Sequence, residues 1–148
     1  MKRHDATLTT RLDFQRLSPE LVAAAAKLPT ATLHEAGKKI GALPSAIKPV
    51  APQFRCAGSA LTVHSPGGDN LWLHRALDIA QAGDVMVVFA NGAHEHGYWG
   101  EIMATMAQAR GLADGGGCAQ CVAVEGVQAH VGANVAQRPH QFRVARQQ

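Results

Sequence analysis

Asp84-Val85-Met86-Val87-Val88-Phe89-Ala90 is an unbroken apolar run behind a single acid, fenced by Gly83 on one side and Asn91-Gly92 on the other. That length suits a strand better than a helix, and valines and an aromatic between turn residues read as a strand covered on both faces. Such a strand belongs to an α/β domain, in which helices connect parallel strands. The flanking sequence agrees. Upstream, Asp69 or Asn70 caps a helix whose Leu73, Leu77 and Ala80 form an apolar stripe that ends at Ala82-Gly83. Before that helix, Ser65-Pro66-Gly67-Gly68 is a turn closing a strand over residues 54–63, carried by Cys56, Ala60, Leu61 and Val63. Downstream, a polar loop from Asn91 to Trp99 leads into a third helix from near Gly100 through Arg110, with Ile102, Met103, Met106 and Ala107 on one face.

Farther out, Ser18-Pro19-Glu20 has the order of a helix start, with a hydroxyl cap, a proline in the first turn and an acid at the positive dipole end. It predicts a helix over residues 19–27. Pro29-Thr30 restarts the chain, with Thr30 as cap of a second helix through Lys39, closed by Gly41 and Pro44. Past Leu112 the composition changes: no further Leu, Ile, Met, Trp or Tyr occurs, and Phe142 is the one large apolar side chain. Val122-Ala123-Val124 reads as a short strand, but the stretch from 113 to 148 is expected to be a loosely packed tail on a domain spanning residues 1–112.

The 148 residues are 47% hydrophobic and 17% charged, too apolar for a disordered chain, and no apolar run reaches membrane-spanning length. Met1-Lys2-Arg3-His4-Asp5 lacks the features of a signal peptide, so a cytoplasmic location is expected. Cys56, Cys118 and Cys121 are an odd set expected to be reduced thiols. The net charge is +3, but the basic residues are scattered among acids, which gives no reason to expect direct nucleic-acid binding.

The strongest chemical signal is Gly97-Tyr98-Trp99-Gly100-Glu101-Ile102-Met103, between the core strand and the third helix. Ligands of α/β sheets gather at the carboxyl ends of strands, where free N–H groups and the dipole at a helix start take carboxylates or phosphates. The alternative is a plain helix start, with Gly100 chosen for its backbone angles. His94-Glu95-His96 could supply metal ligands, although a third partner is not nominated and a solvated loop is the simpler reading. Cys118-Ala119-Gln120-Cys121 is a lone CxxC pair. Lys38-Lys39 reads as a charge pair closing a helix rather than a Schiff-base site, and Lys48, His64 and His74 as surface or core-edge residues.

The blocks Gly58-Ser59-Ala60-Leu61-Thr62-Val63, Pro66-Gly67-Gly68-Asp69-Asn70-Leu71, Ala82-Gly83-Asp84-Val85-Met86-Val87-Val88 and Gly97-Tyr98-Trp99-Gly100-Glu101-Ile102-Met103-Ala104, in this order, resemble the RraA-like family. The family includes the 4-hydroxy-4-methyl-2-oxoglutarate / 4-carboxy-4-hydroxy-2-oxoadipate aldolases and the regulator of ribonuclease E activity A. The match covers about residues 30–112. It implies a swivelling β/β/α domain, with a mixed sheet, flanking helices and here an incomplete C-terminal part, assembled as a homotrimer or a homohexamer with sites at subunit interfaces. In the aldolase branch, the resemblance implies that Gly100, Glu101, Ile102 and Met103 hold the carboxylate of a pyruvate unit through backbone amides. It also implies a divalent cation, Mg²⁺ or Mn²⁺, which with an arginine polarises the 2-oxo group of a 2-oxo dicarboxylate; the resulting pyruvate enolate would also explain oxaloacetate decarboxylation.

The family's second motif, Gly-x-x-Arg-Asp, falls about twenty-two residues after the loop glycine. Counting from Gly100 reaches Val122 and Ala123, which can neither pair with a carboxylate nor hold Mg²⁺. The metal and catalytic residues are therefore left unassigned. A shift of reading frame near Leu112 would account for the break, since the codons for Ala119-Gln120 permit Arg in the adjacent frame. Two other readings stand beside a metal-dependent aldolase: a non-catalytic regulator that binds a ribonuclease, and an inactive truncated homologue.

Overall fold

A computed structural model describes residues 14–44, 47, 55–93, 95–112 and 122–125. Its elements are α1 (Pro19–Ala25), α2 (Thr30–Ala36), β1 (Ser59–His64), α3 (Leu71–Ile79), β2 (Asp84–Phe89), α4 (Glu101–Ala109) and β3 (Val122–Glu125). The strands form a parallel sheet in the order β1-β2-β3, with β2 in the middle. The α/β class read from the apolar run is the class observed. The register sets Ser59 beside Asp84 and His64 beside Phe89, so β1 and β2 begin and end together. On the other side of β2, Met86 lies beside Val122 and Val87 beside Ala123.

The core lies on one face of this sheet. Leu61 and Val63 of β1 and Met86 and Val88 of β2 alternate inward against Leu73, Ala76 and Leu77 of α3 and Met103, Ala104 and Ala107 of α4. Ala80, Ala90, Tyr98, Trp99 and Leu112 complete the cluster. The expectation that β2 is covered on both faces is corrected here. Val85 and Val87 are half-buried and Phe89 is 43% exposed, so among the described residues the face opposite the core is only partly covered.

Several boundaries also move. The first strand starts at Ser59; residues 55–58 are irregular, and Phe54 is outside the described residues. Ser18 caps α1 as expected, its hydroxyl accepting from Leu21 N–H at 3.3 Å, but the helix closes at Ala25. Thr30 is the first residue of α2 rather than its cap, a role that falls to Pro29. The end of α2 comes three residues early. Lys38 and Lys39 adopt left-handed angles (φ 58° and 62°), and their N–H groups turn back to Glu35 and His34 carbonyls at 3.0 and 2.8 Å, a Schellman closure. The two lysines thus lie beyond the helix instead of closing it. Neither α1 nor α2 buries a residue.

Candidate functional site

Because β1 and β2 are parallel and in step, the turn after β1 and the loop after β2 emerge at the same edge of the sheet. This is the edge where ligands of parallel α/β sheets bind. The turn is fastened first. Ser65 is fully buried; its N–H donates to Phe89 O at 2.9 Å and its hydroxyl donates to Asp69 O. Asp69 in turn accepts from Leu71 N–H at 2.8 Å, which leaves Asn70 as the N-cap of α3 with its own side chain free of capping duty. The Asn70 amide instead points at Met103 Sδ, 4.0 Å away, so the first turns of α3 and α4 lie side by side.

The loop after β2 folds onto that turn. Tyr98 is 1% exposed, and its hydroxyl oxygen accepts the Gly68 N–H at 2.7 Å. Gly68 has φ +83°, an angle that favours glycine, and a Cβ on Gly67 would stand 2.7 Å from the Ala93 Cβ. His96 packs edge-on to Tyr98, with ring centroids 6.2 Å apart. Two residues on, Gly100 is extended (φ −124°, ψ −177°) and caps α4 without any side-chain hydrogen bond, while its carbonyl accepts from Ala104 N–H at 3.0 Å. Glu101, Ile102 and Met103 therefore present backbone N–H groups at the dipole's positive end with no capping side chain across them. The space where a Gly100 side chain would sit is open.

The four residues expected to cradle a carboxylate thus sit together at one helix start. Their side chains divide: Met103 is buried at 3% and anchors the turn, whereas Ile102, expected on the core face, is 76% exposed. The helix rotates Ala104 into the core in its place.

A divalent cation fits the described residues poorly. Among them no three His, Cys, Asp or Glu side chains come together, Asp69 is engaged with Leu71 N–H, and the strand positions beside Met86 and Val87 are held by Val122 and Ala123. His94, Lys48 and the Cys118 and Cys121 pair lie outside the described residues. His64 is exposed, its ring 5.1 Å from that of Phe89, and His74 is half-buried on α3. At the opposite end of the strands a cavity of about 500 Å³ is lined in part by Val22, Arg55, Ser59 and the Arg16–Asp84 ion pair. That pair was missed in the sequence, because its partners lie 68 residues apart.

Comparison with known proteins gives a consistent picture. A family model described as "RraA-like: Aldolase/RraA" matches residues 19–115. A Halalkalibacterium halodurans protein named "Putative 4-hydroxy-4-methyl-2-oxoglutarate aldolase" is 34% identical over 86 residues, 58% of this chain and 41% of that protein. Two solved structures share the fold. An uncharacterized protein from Pseudomonas syringae pv. tomato str. DC3000 matches with a TM-score of 0.59 and 24% identity, over 83% of this chain and 54% of the other. A structure described as novel cellulases from microbes associated with the gut ecosystem matches with a TM-score of 0.61 and 19% identity, over 81% and 63%. The chain thus spans about two fifths of the curated relative's length. Among the described residues, no helix is long and apolar enough to cross a membrane.

Proposed function

The chain belongs to the RraA-like family, and from that premise we propose that it binds 2-oxo dicarboxylates of the 4-hydroxy-4-methyl-2-oxoglutarate type, as the pyruvate-holding part of an aldolase site. The observation that carries this reading is the uncapped start of α4, where Gly100, Glu101, Ile102 and Met103 offer backbone donors at the carboxyl edge of two parallel strands. Backbone N–H groups aligned with the helix dipole favour an anion over its hydrated state without a charged side chain. Buried Tyr98 and Trp99 lie just ahead of that turn and exclude water from its inner side. The curated relative's name supports the aldolase branch over the ribonuclease regulator.

Cleavage asks for more than this cradle. The cation and the Arg-Asp pair that the resemblance implies find no matching side chains among the described residues, so no bond-breaking step is assigned to them. What these residues offer in this reading is binding: their N–H groups hold the substrate carboxylate at the start of α4. A homotrimeric or homohexameric assembly, in which a neighbouring subunit meets this edge, is part of the same proposal.

The test is pyruvate release from 4-hydroxy-4-methyl-2-oxoglutarate and from oxaloacetate, with Mg²⁺ or Mn²⁺, against a metal-only blank, alongside direct titration with pyruvate. Release above the blank supports an aldolase and decarboxylase completed within the assembly. Binding without release confines the chain to the cradle. Absence of pyruvate binding, with a ribonuclease co-purifying and no response to Mg²⁺, would replace this reading with the regulator.

A further inference from the structure

We propose that Tyr98 is a positioning residue whose hydroxyl clamps the Gly67-Gly68 turn against the start of α4, so that the carboxylate cradle is formed before any ligand arrives. The inference rests on the reading of the α4 start as a carboxylate site, and four observations carry it. The Tyr98 ring is 1% exposed, yet its hydroxyl oxygen accepts the Gly68 N–H at 2.7 Å across 30 residues of sequence. Phenylalanine would fill the same space, so the hydroxyl is there for the hydrogen bond. The turn also packs closely on the loop after β2: a Cβ on Gly67 would approach Ala93 Cβ at 2.7 Å, and one on Gly68 would reach van der Waals contact with the His96 ring at 3.4 Å. Finally, Tyr98 stands two residues before Gly100, and the Asn70 amide meets Met103 Sδ at 4.0 Å, so both sides of the clamp continue directly into the first turns of α3 and α4. Ordering the cradle beforehand removes a conformational cost from binding.

Tyr98→Phe in the full chain keeps the ring and deletes the bond. The proposal expects pyruvate to bind about three- to tenfold more weakly, the scale of one lost hydrogen bond, while cooperative unfolding is retained. The Gly68 amide should then exchange with solvent faster than in the parent chain. Gly67→Ala presses a methyl group against Ala93 in the same turn, and combining the two should weaken binding by less than the product of the single effects. A merely structural role would lower the melting temperature and leave pyruvate affinity unchanged. Unchanged affinity together with a still-protected Gly68 amide overturns the clamp. If the parent chain fails to bind pyruvate, the α4 reading fails instead, and Gly68 amide exchange alone decides whether the hydroxyl fastens the turn.

Discussion

The guanidinium of Arg16 grips both carboxylate oxygens of Asp84, with Nε at 2.9 and 3.1 Å and Nη2 at 2.9 Å, and so ties the segment before α1 to the first residue of the central strand. Asp84 is 1% exposed and also accepts from Gln81 N–H at 2.9 Å. Arg16 donates further to Ile79 O at 3.2 Å and lies 4.4 Å above the Phe14 ring. A carboxylate buried at a strand start is tolerated because its oxygens are satisfied in this way. The pair shapes the end of the sheet opposite the proposed site.

Arg16→Met should leave the Asp84 carboxylate buried with only part of its partners, at a cost of about 2–4 kcal/mol, read as a lower urea midpoint. The hydrogen bond to Asp84 raises the Arg16 pKa above its ordinary value, against burial and with help from the Asp84 charge. A raised group contributes fully below its ordinary pKa and loses that contribution only as pH rises through the folded value. The difference between parent and variant should therefore stay constant across the neutral range.

Leu77 and Ile102 make a contrasting pair, fully buried and 76% exposed respectively. Leu77→Ala opens a cavity between α3 and the sheet and should cost about 2–5 kcal/mol. Ile102→Ala should change stability by less than about 0.5 kcal/mol. It should also leave pyruvate affinity unaltered, since the proposed donor is the backbone N–H of residue 102 and not its side chain. Denaturation and titration of both variants check the pair.

At α1 the Ser18 hydroxyl accepts from Leu21 N–H, and Ser18→Ala should weaken the helix by about 1 kcal/mol. The Glu20 carboxyl is held below its usual range by a hydrogen bond from its own backbone N–H and by Ser18. A lowered carboxyl contributes above its ordinary pKa and loses that contribution as pH falls through the lowered value. Amide exchange should show α1 fraying first in acid, and earlier in the Ser18→Ala chain.

Much of this architecture was legible where neighbours in sequence are neighbours in space. Gly83 and Asn91-Gly92 marked the ends of β2, and the spacing of Leu73, Leu77 and Ala80 set the buried face of α3. The short strand through Val122 was likewise visible and pairs with β2. Local pattern failed where the backbone chose between nearly equal options: Lys38 taking a left-handed angle to end α2, or Ala104 rather than Ile102 turning inward. It could not reach contacts made by distant segments. Asp84 gives no hint of Arg16, 68 residues earlier, and Gly68 none of Tyr98. Around the proposed site, the start of α4 near Gly100 was legible and the hydrogen bond from Gly68 N–H to the Tyr98 hydroxyl was not.

Glu101→Pro probes those donors with little harm to the helix. Proline is tolerated in the first turn, and the residue before it must be extended, as Gly100 already is. The substitution deletes one N–H at the cradle and removes a negative charge that would repel an anion. If the donors act as proposed, pyruvate affinity falls about three- to tenfold despite the more favourable charge, while α4 persists by circular dichroism. Retained affinity would show that the Glu101 N–H is not one of the donors.

The most direct measurement is a titration of the ¹⁵N-labelled 148-residue chain with pyruvate, following backbone amides. The Glu101, Ile102 and Met103 amide signals should shift together along one saturable curve, with Gly68 responding through Tyr98. Signals that never saturate, or shifts confined to the far end of the strands around Arg55 and Ser59, would contradict the claim that the start of α4 is a carboxylate site.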